Sequence, residues 1–152
     1  MESLFDQNFI ARVLLTILSV ALCIGPAKAD FNATHATNPL WPGHARFHVV
    51  WQVVTNSTNT LVLLALIWVP LVQYDLQLKL ASLFIAIILG SFYVTLACMK
   101  LFDGTLADPN GIKPFKFKFP GRTVLVDTNL FGFSVLSVVL AVAVANIHGL
   151  SA

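Results

Sequence analysis

"FHVVWQVVTNSTNTLVLLALIWVPLV", residues 47–72, contains no Asp, Glu, Lys or Arg. A membrane span takes roughly 17–25 mostly apolar residues to cross about 30 Å of hydrocarbon. This run is long enough, and in lipid its backbone groups are satisfied only if it is a helix. Three more runs read the same way, at about 9–25, 78–99 and 130–147. Short links between such spans favour antiparallel neighbours. The expected fold is therefore all-α: an antiparallel four-helix transmembrane bundle, with the whole chain, 1–152, as a single transmembrane domain.

The composition agrees. Of 152 residues, 57% are hydrophobic and 11% charged, and the mean hydropathy is +0.82. Soluble domains carry about a quarter charged residues, so lipid is the solvent this chain is built for. A net charge of +2 without a basic run excludes nucleic acid as a partner. Cys23 and Cys98 both lie in apolar runs and form no disulfide framework.

The first span has a rival reading as a cleaved signal peptide, because "CIGPAKAD" (23–30) ends in a small-residue pattern. Against it, Glu2 and Asp6 precede the run where a signal peptide is positively charged, so a retained helix is expected. Seven of the nine Lys and Arg fall in the loops after spans one and three. The positive-inside rule then places those loops in the cytoplasm, whereas a signal peptide would place the first of them outside. Of two sequons, Asn56 falls within a span and Asn32 in the first loop.

The third loop has a pattern of its own. "DPNG" (108–111) is a turn signal, and "KPFKFKFPGRTVLVD" (113–127) then alternates Phe115, Phe117 and Phe119 with Lys116 and Lys118. That period, followed by Pro-Gly and a β-branched run, predicts a short β-hairpin-like loop between helices 3 and 4. Its Phe face is suited to lipid or the bundle end, and its lysines to phosphate headgroups.

Chemistry concentrates in "THATNPLWPGHARFH" (34–48), which holds three of the four histidines. Pro42 and Gly43 suit a helix start, so helix 2 is expected to begin near His44. Steps of four then give His44, His48, Gln52, Asn56 and Thr60, with Asn59 beside the last, as a polar stripe entering the membrane. Such a stripe should face the bundle interior or a wet cavity, leaving Val49, Val50, Val53 and Val54 for lipid or packing. The expected pocket is lined by Asn38, Trp41, Gln52, Asn56 and Asn59. Ser91, Tyr93, Thr95, Ser134 and Ser137 offer polar partners from the other spans. Asp127 and Asn129 precede span four on the same side of the membrane, while His148 lies on the far side.

Three readings of the histidines stand side by side. In the first, His44 and His48 at i,i+4 hold a transition metal such as zinc or iron, with His35 as third ligand and Asp127 as a fourth or as the carboxylate orienting a ring. In the second, His44 or His48 works as acid or base with Asp127 as the catalytic carboxylate. In the third, the histidines and Arg46 bind headgroups or loop carbonyls and simply fix the turn. Arg46 can pair with Asp30 or a lipid phosphate. Trp41 and Trp51 also read as interface anchors, and Asn56 with Asn59 as interhelical glue. No Walker loop, dinucleotide fingerprint, nucleophile elbow or series of separate histidine boxes occurs.

"NPLWPGHARFH" (38–48) resembles the signature of a family of small four-span membrane proteins of unknown function, and the hydropathy layout resembles the DoxX-like four-helix group. The resemblance implies the four-span fold and no activity. Two functional expectations follow from the residues. One is a multi-pass membrane protein with a histidine-lined pocket for a lipophilic small molecule, open to metal or acid–base catalysis. The other is a non-catalytic accessory or assembly subunit of a membrane complex, whose stripe meets a homo-oligomeric or membrane-protein partner. Membrane lipids are partners in both. A pore is disfavoured, since the spans show no internal repeat and no charged residue is expected inside them.

Overall fold

The computed structural model describes residues 7–71, 73–106 and 111–148. Four helices make the bundle: α1 (Phe9–Asp30), α2 (Gly43–Trp68), α3 (Tyr74–Cys98) and α4 (Thr128–Ala145). All four are long and apolar enough to cross a membrane. A 3₁₀ turn (Met99–Phe102) extends α3, and strands β1 (Phe115–Phe119) and β2 (Arg122–Val126) pair antiparallel before α4. The chain thus has the architecture of a multi-pass membrane protein with a hairpin between helices 3 and 4. The "DPNG" turn falls at 108–110 outside the described residues, apart from Gly111.

Single residues set the helix ends. α1 does not stop near residue 25 but runs through Pro26 to Asp30. Its last carbonyls are taken by the side chain of Asn32, whose Nδ2 donates to Lys28 O (3.0 Å) and Ala29 O (2.9 Å). α2 ends at Trp68, earlier than expected, because the residue before Pro70 is driven to extended geometry; Val69 has φ −94° and ψ 126°. The buried side chain of Gln77 closes that turn, donating to Leu66 O and Val69 O and accepting from Leu71 N. α4 begins at an Asp127 N-cap. In the hairpin, Phe119 pairs with Arg122 across Pro120-Gly121, and Gly121 has φ 77°. Proline first and a positive-φ glycine second make a type II turn.

The α1–α2 contacts establish the antiparallel arrangement: Cys23 meets Ser57, Thr60 donates to Ser19 O, and Trp68 donates to Thr16. The numbers rise on one helix as they fall on the other. Along α1 the buried apolar residues Ala11, Leu15, Leu18 and Leu22 recur at steps of four and three, the spacing of a helix–helix seam. Leu63 and Ile67 of α2, Leu78, Ala81, Ile85 and Leu89 of α3, and Ala143 of α4 complete the core. These residues gather at the end of the bundle where α1 begins and α4 ends. The α1 contacts join it to α2, α4 and, across the diagonal, α3, whereas α2 and α4 share no extensive contact.

Among the described residues one fully buried charge lies inside a span, against expectation. Arg12 is fully buried one turn into α1, with its guanidinium 5.3 Å from the centre of the Trp68 ring. The outer surface carries large apolar side chains such as Leu61, Leu83 and Val138, as lipid requires of a bundle face.

Candidate functional site

Where the core thins, toward the end that carries the histidine-rich loop, a cavity of about 550 Å³ opens between α1, α2 and α4. Small residues make the room. Ala21, Gly25 and Ala29 line it from α1 and Gly132 from α4. A Cβ added at Gly25 or Gly132 would meet no heavy atom within 4 Å. Stripes of small residues at steps of four usually bring membrane helices together; here the small faces border open space. Leu22, Phe92, Phe133 and Leu136 give the cavity its apolar walls. Phe92 and Phe133 stack with ring centres 4.0 Å apart.

The polar groups collect at one end. Asp30, His35, Trp41, Gln52, Thr128 and Asn129 line the cavity. Asp30, His35 and Asn129 also line a recess of about 50 Å³ beside it. Asp30 closes α1, and a tight turn returns the chain so that His35 Nδ1 stands 3.8 Å from Asp30 Oδ1. Backbone bonds from Ala36 N to Asp30 O and from His35 N to Asn32 O hold that turn. Trp41 sets its ring edge-on to His35 at 5.1 Å.

The proton positions around His35 follow from the bonding. Asn32 spends Nδ2 on two carbonyls, so its Oδ1 accepts, taking Thr34 N–H at 2.8 Å and Thr34 Oγ1–H at 2.5 Å. A hydroxyl has one proton to give. Thr34 Oγ1 therefore accepts from His35 Nδ1, 2.7 Å away. Nδ1 therefore carries a proton, and in the neutral ring Nε2 is the lone-pair acceptor.

The structure brings together a different set of residues from the expected stripe. His35, Trp41 and Gln52 line the cavity; Asn56 and Asn59 are half-buried on α2 and do not line it. His44 and His48 lie exposed at the start of α2, Nε2 to Nε2 at 3.0 Å. The reason is rotational. Steps of four residues turn about 400°, so each step drifts by about 40° and four steps by about 160°. His44 and Thr60 consequently sit on nearly opposite faces, the first exposed and the second buried against α1. Val53, expected opposite the stripe, is buried, while Val50 and Val54 are exposed.

Other expected partners have structural work. Asn38 is buried within the loop, donating to Thr34 O and accepting from Leu40 N. Asp127 Oδ1 accepts from Asn129 N (2.8 Å) and Leu130 N (3.1 Å), so this carboxylate caps α4 rather than orienting a histidine. Asp30 pairs with His35, not with Arg46. No group of three or more His, Cys, Asp and Glu that could hold a metal ion occurs among the described residues, so His35 is not joined to the His44–His48 pair as a third ligand. Asp30 was overlooked as a site residue. Its signal in the sequence is the run Ala21, Gly25, Pro26, Ala29, which leaves space on the helix face leading to it. Comparison with protein-family models, curated proteins and solved structures finds no match for the chain.

Proposed function

We propose that this membrane protein binds a lipophilic small molecule in the cavity between α1, α2 and α4. The observation that carries the reading is the division of that cavity into apolar walls and a single polar end holding Asp30, His35, Gln52 and Asn129. Ligand sites are mostly apolar with a few convergent polar groups that fix orientation. A molecule arriving from the bilayer would leave its chain among Leu22, Phe92, Phe133 and Leu136 and its head at the Asp30–His35 pair. If the bound molecule is also transformed, the base is His35 Nε2, since Nδ1 is committed to Thr34.

The test is chemical extraction of the purified protein. Mass spectrometry of the organic extract should find a lipophilic molecule enriched over the bulk lipid, and the Gly132→Phe variant, whose ring enters the cavity, should lack it. An extract with the same profile in both proteins would remove the basis of the reading.

A second reading, as a subunit of a membrane complex, is favoured by one feature. The exposed start of α2 presents Phe47, His48 and Trp51 side by side, with His48 5.9 Å from Phe47 and 5.8 Å from Trp51. Crosslinking from position 47 to another membrane protein in native membranes would support this reading over the first.

A further inference from the structure

Resting on the ligand-binding reading above, we infer the class of ligand: the cavity takes a long-chain amine, held as its ammonium by Asp30. The polar end of the cavity is a collection of acceptors. Among the described residues neither Lys nor Arg lines the cavity or the recess beside it, and Asp30 is the one carboxylate there. Its side chain is only 19% exposed. Among the described residues no hydrogen bond is donated to its carboxylate, since His35 Nδ1 at 3.8 Å lies beyond hydrogen-bonding reach and gives its proton to Thr34. A half-buried carboxylate in that state favours a donor of opposite charge.

Two more features point the same way. In its neutral form His35 offers the lone pair of Nε2, since Nδ1 gives its proton to Thr34. Trp41 lines the same end, and an indole face attracts an ammonium. An ammonium brings several N–H donors to these acceptors. A hydroxyl brings one, and a carboxylate or phosphate brings none and sets its charge against Asp30. The size is also bounded. At roughly 30 Å³ per heavy atom, the volume of a water in the liquid, a space of about 550 Å³ holds about 18 heavy atoms.

Tetradecylamine, tetradecanol and tetradecanoic acid share one chain and differ only in the head. The experiment measures binding of each, radiolabelled, to the full chain in nanodiscs of zwitterionic lipid, with empty nanodiscs subtracted. The expected result is amine over alcohol by tenfold or more and over acid by more still. In Asp30→Asn the amine should fall by at least tenfold while the alcohol changes less than threefold. The wild-type ranking tests the inference even if that variant folds poorly. Alcohol or acid bound as tightly as the amine would overturn the amine assignment and leave a lipophile site standing. So would an amine affinity unchanged in a folded Asp30→Asn. No binding of any probe, or binding unaffected by Gly132→Phe, would overturn the amine assignment and the ligand-binding reading together.

Discussion

Filling the cavity from Gly132 gives a graded prediction, because the position is on a helix, borders the cavity and has no heavy atom within 4 Å of a built Cβ. Ala, Leu and Phe at this position add one, four and seven carbons to the space. Each ligand atom excluded from a drug-sized complex forfeits about 0.3 kcal/mol. For a probe of the same head type lengthened to fill the space, binding should then weaken by about 0.3, 1.2 and 2.1 kcal/mol, or about twofold, sevenfold and thirtyfold. Stability should move the other way. Replacing a helical glycine gains up to about 1 kcal/mol of propensity, most for Ala, and the larger groups bury apolar area that the empty cavity leaves unused. The assay pairs equilibrium binding in nanodiscs with thermal unfolding in detergent. A loss of affinity that follows side-chain size while the melting temperature holds or rises is the expected pattern. Variants that melt well below wild type would show Gly132 packed against something, and equal affinity in all three would place the ligand elsewhere.

Other perturbations probe the elements that shape the site. Asp127→Ala removes the cap that takes Asn129 N and Leu130 N, and should cost about 0.5–2 kcal/mol in unfolding measurements; no loss would mean the cap is replaced by water. Thr60→Val deletes the bond to Ser19 O between α1 and α2 and should cost about 0.6 kcal/mol, a typical value for such bonds within membranes; a loss several times larger would contradict simple helix pairing. Gly121→Ala strains a residue at φ 77° by about 1–2 kcal/mol and should raise amide exchange along β1 and β2 without altering probe binding. Zinc added to purified protein should bind weakly at His44 and His48, and either single alanine substitution should abolish it; retention in both would locate the ligands outside that pair.

The four spans were legible because a bilayer imposes a coarse demand, about twenty apolar residues, that composition alone can meet. The hairpin was legible too, since Phe115, Phe117 and Phe119 alternate with lysines and end in Pro-Gly. Helix ends were harder, being decided by one residue each: Pro70 stops α2 early, whereas Pro26 fails to stop α1. A proline loses its veto where the bundle supports the turn around it and a side chain such as Asn32 takes the last carbonyls. The site was half legible. His35 and Trp41 came from the histidine-rich stretch and Gln52 from the stripe that leaves it, but that chain of i,i+4 steps was extended past the two or three turns over which it stays on one face. Asp30 could not be placed without the turn at 31–35, which depends on a hydrogen-bond network among Asn32, Thr34 and His35 rather than on any periodic pattern.

That network bears on covalent modification as well. Asn32 heads an Asn-Ala-Thr sequon, yet its amide nitrogen, the atom that would receive a sugar, already donates to Lys28 O and Ala29 O. Attaching a glycan there would leave Nδ2 one proton instead of two, removing at least one of these two bonds to the last turn of α1 and loosening the turn that presents His35 to Asp30. In a secretory compartment, the transferase would therefore compete with folding of this helix end. Occupancy at Asn32 would record which came first, and a glycosylated fraction would be a population with a weakened cap beside the Asp30–His35 pair.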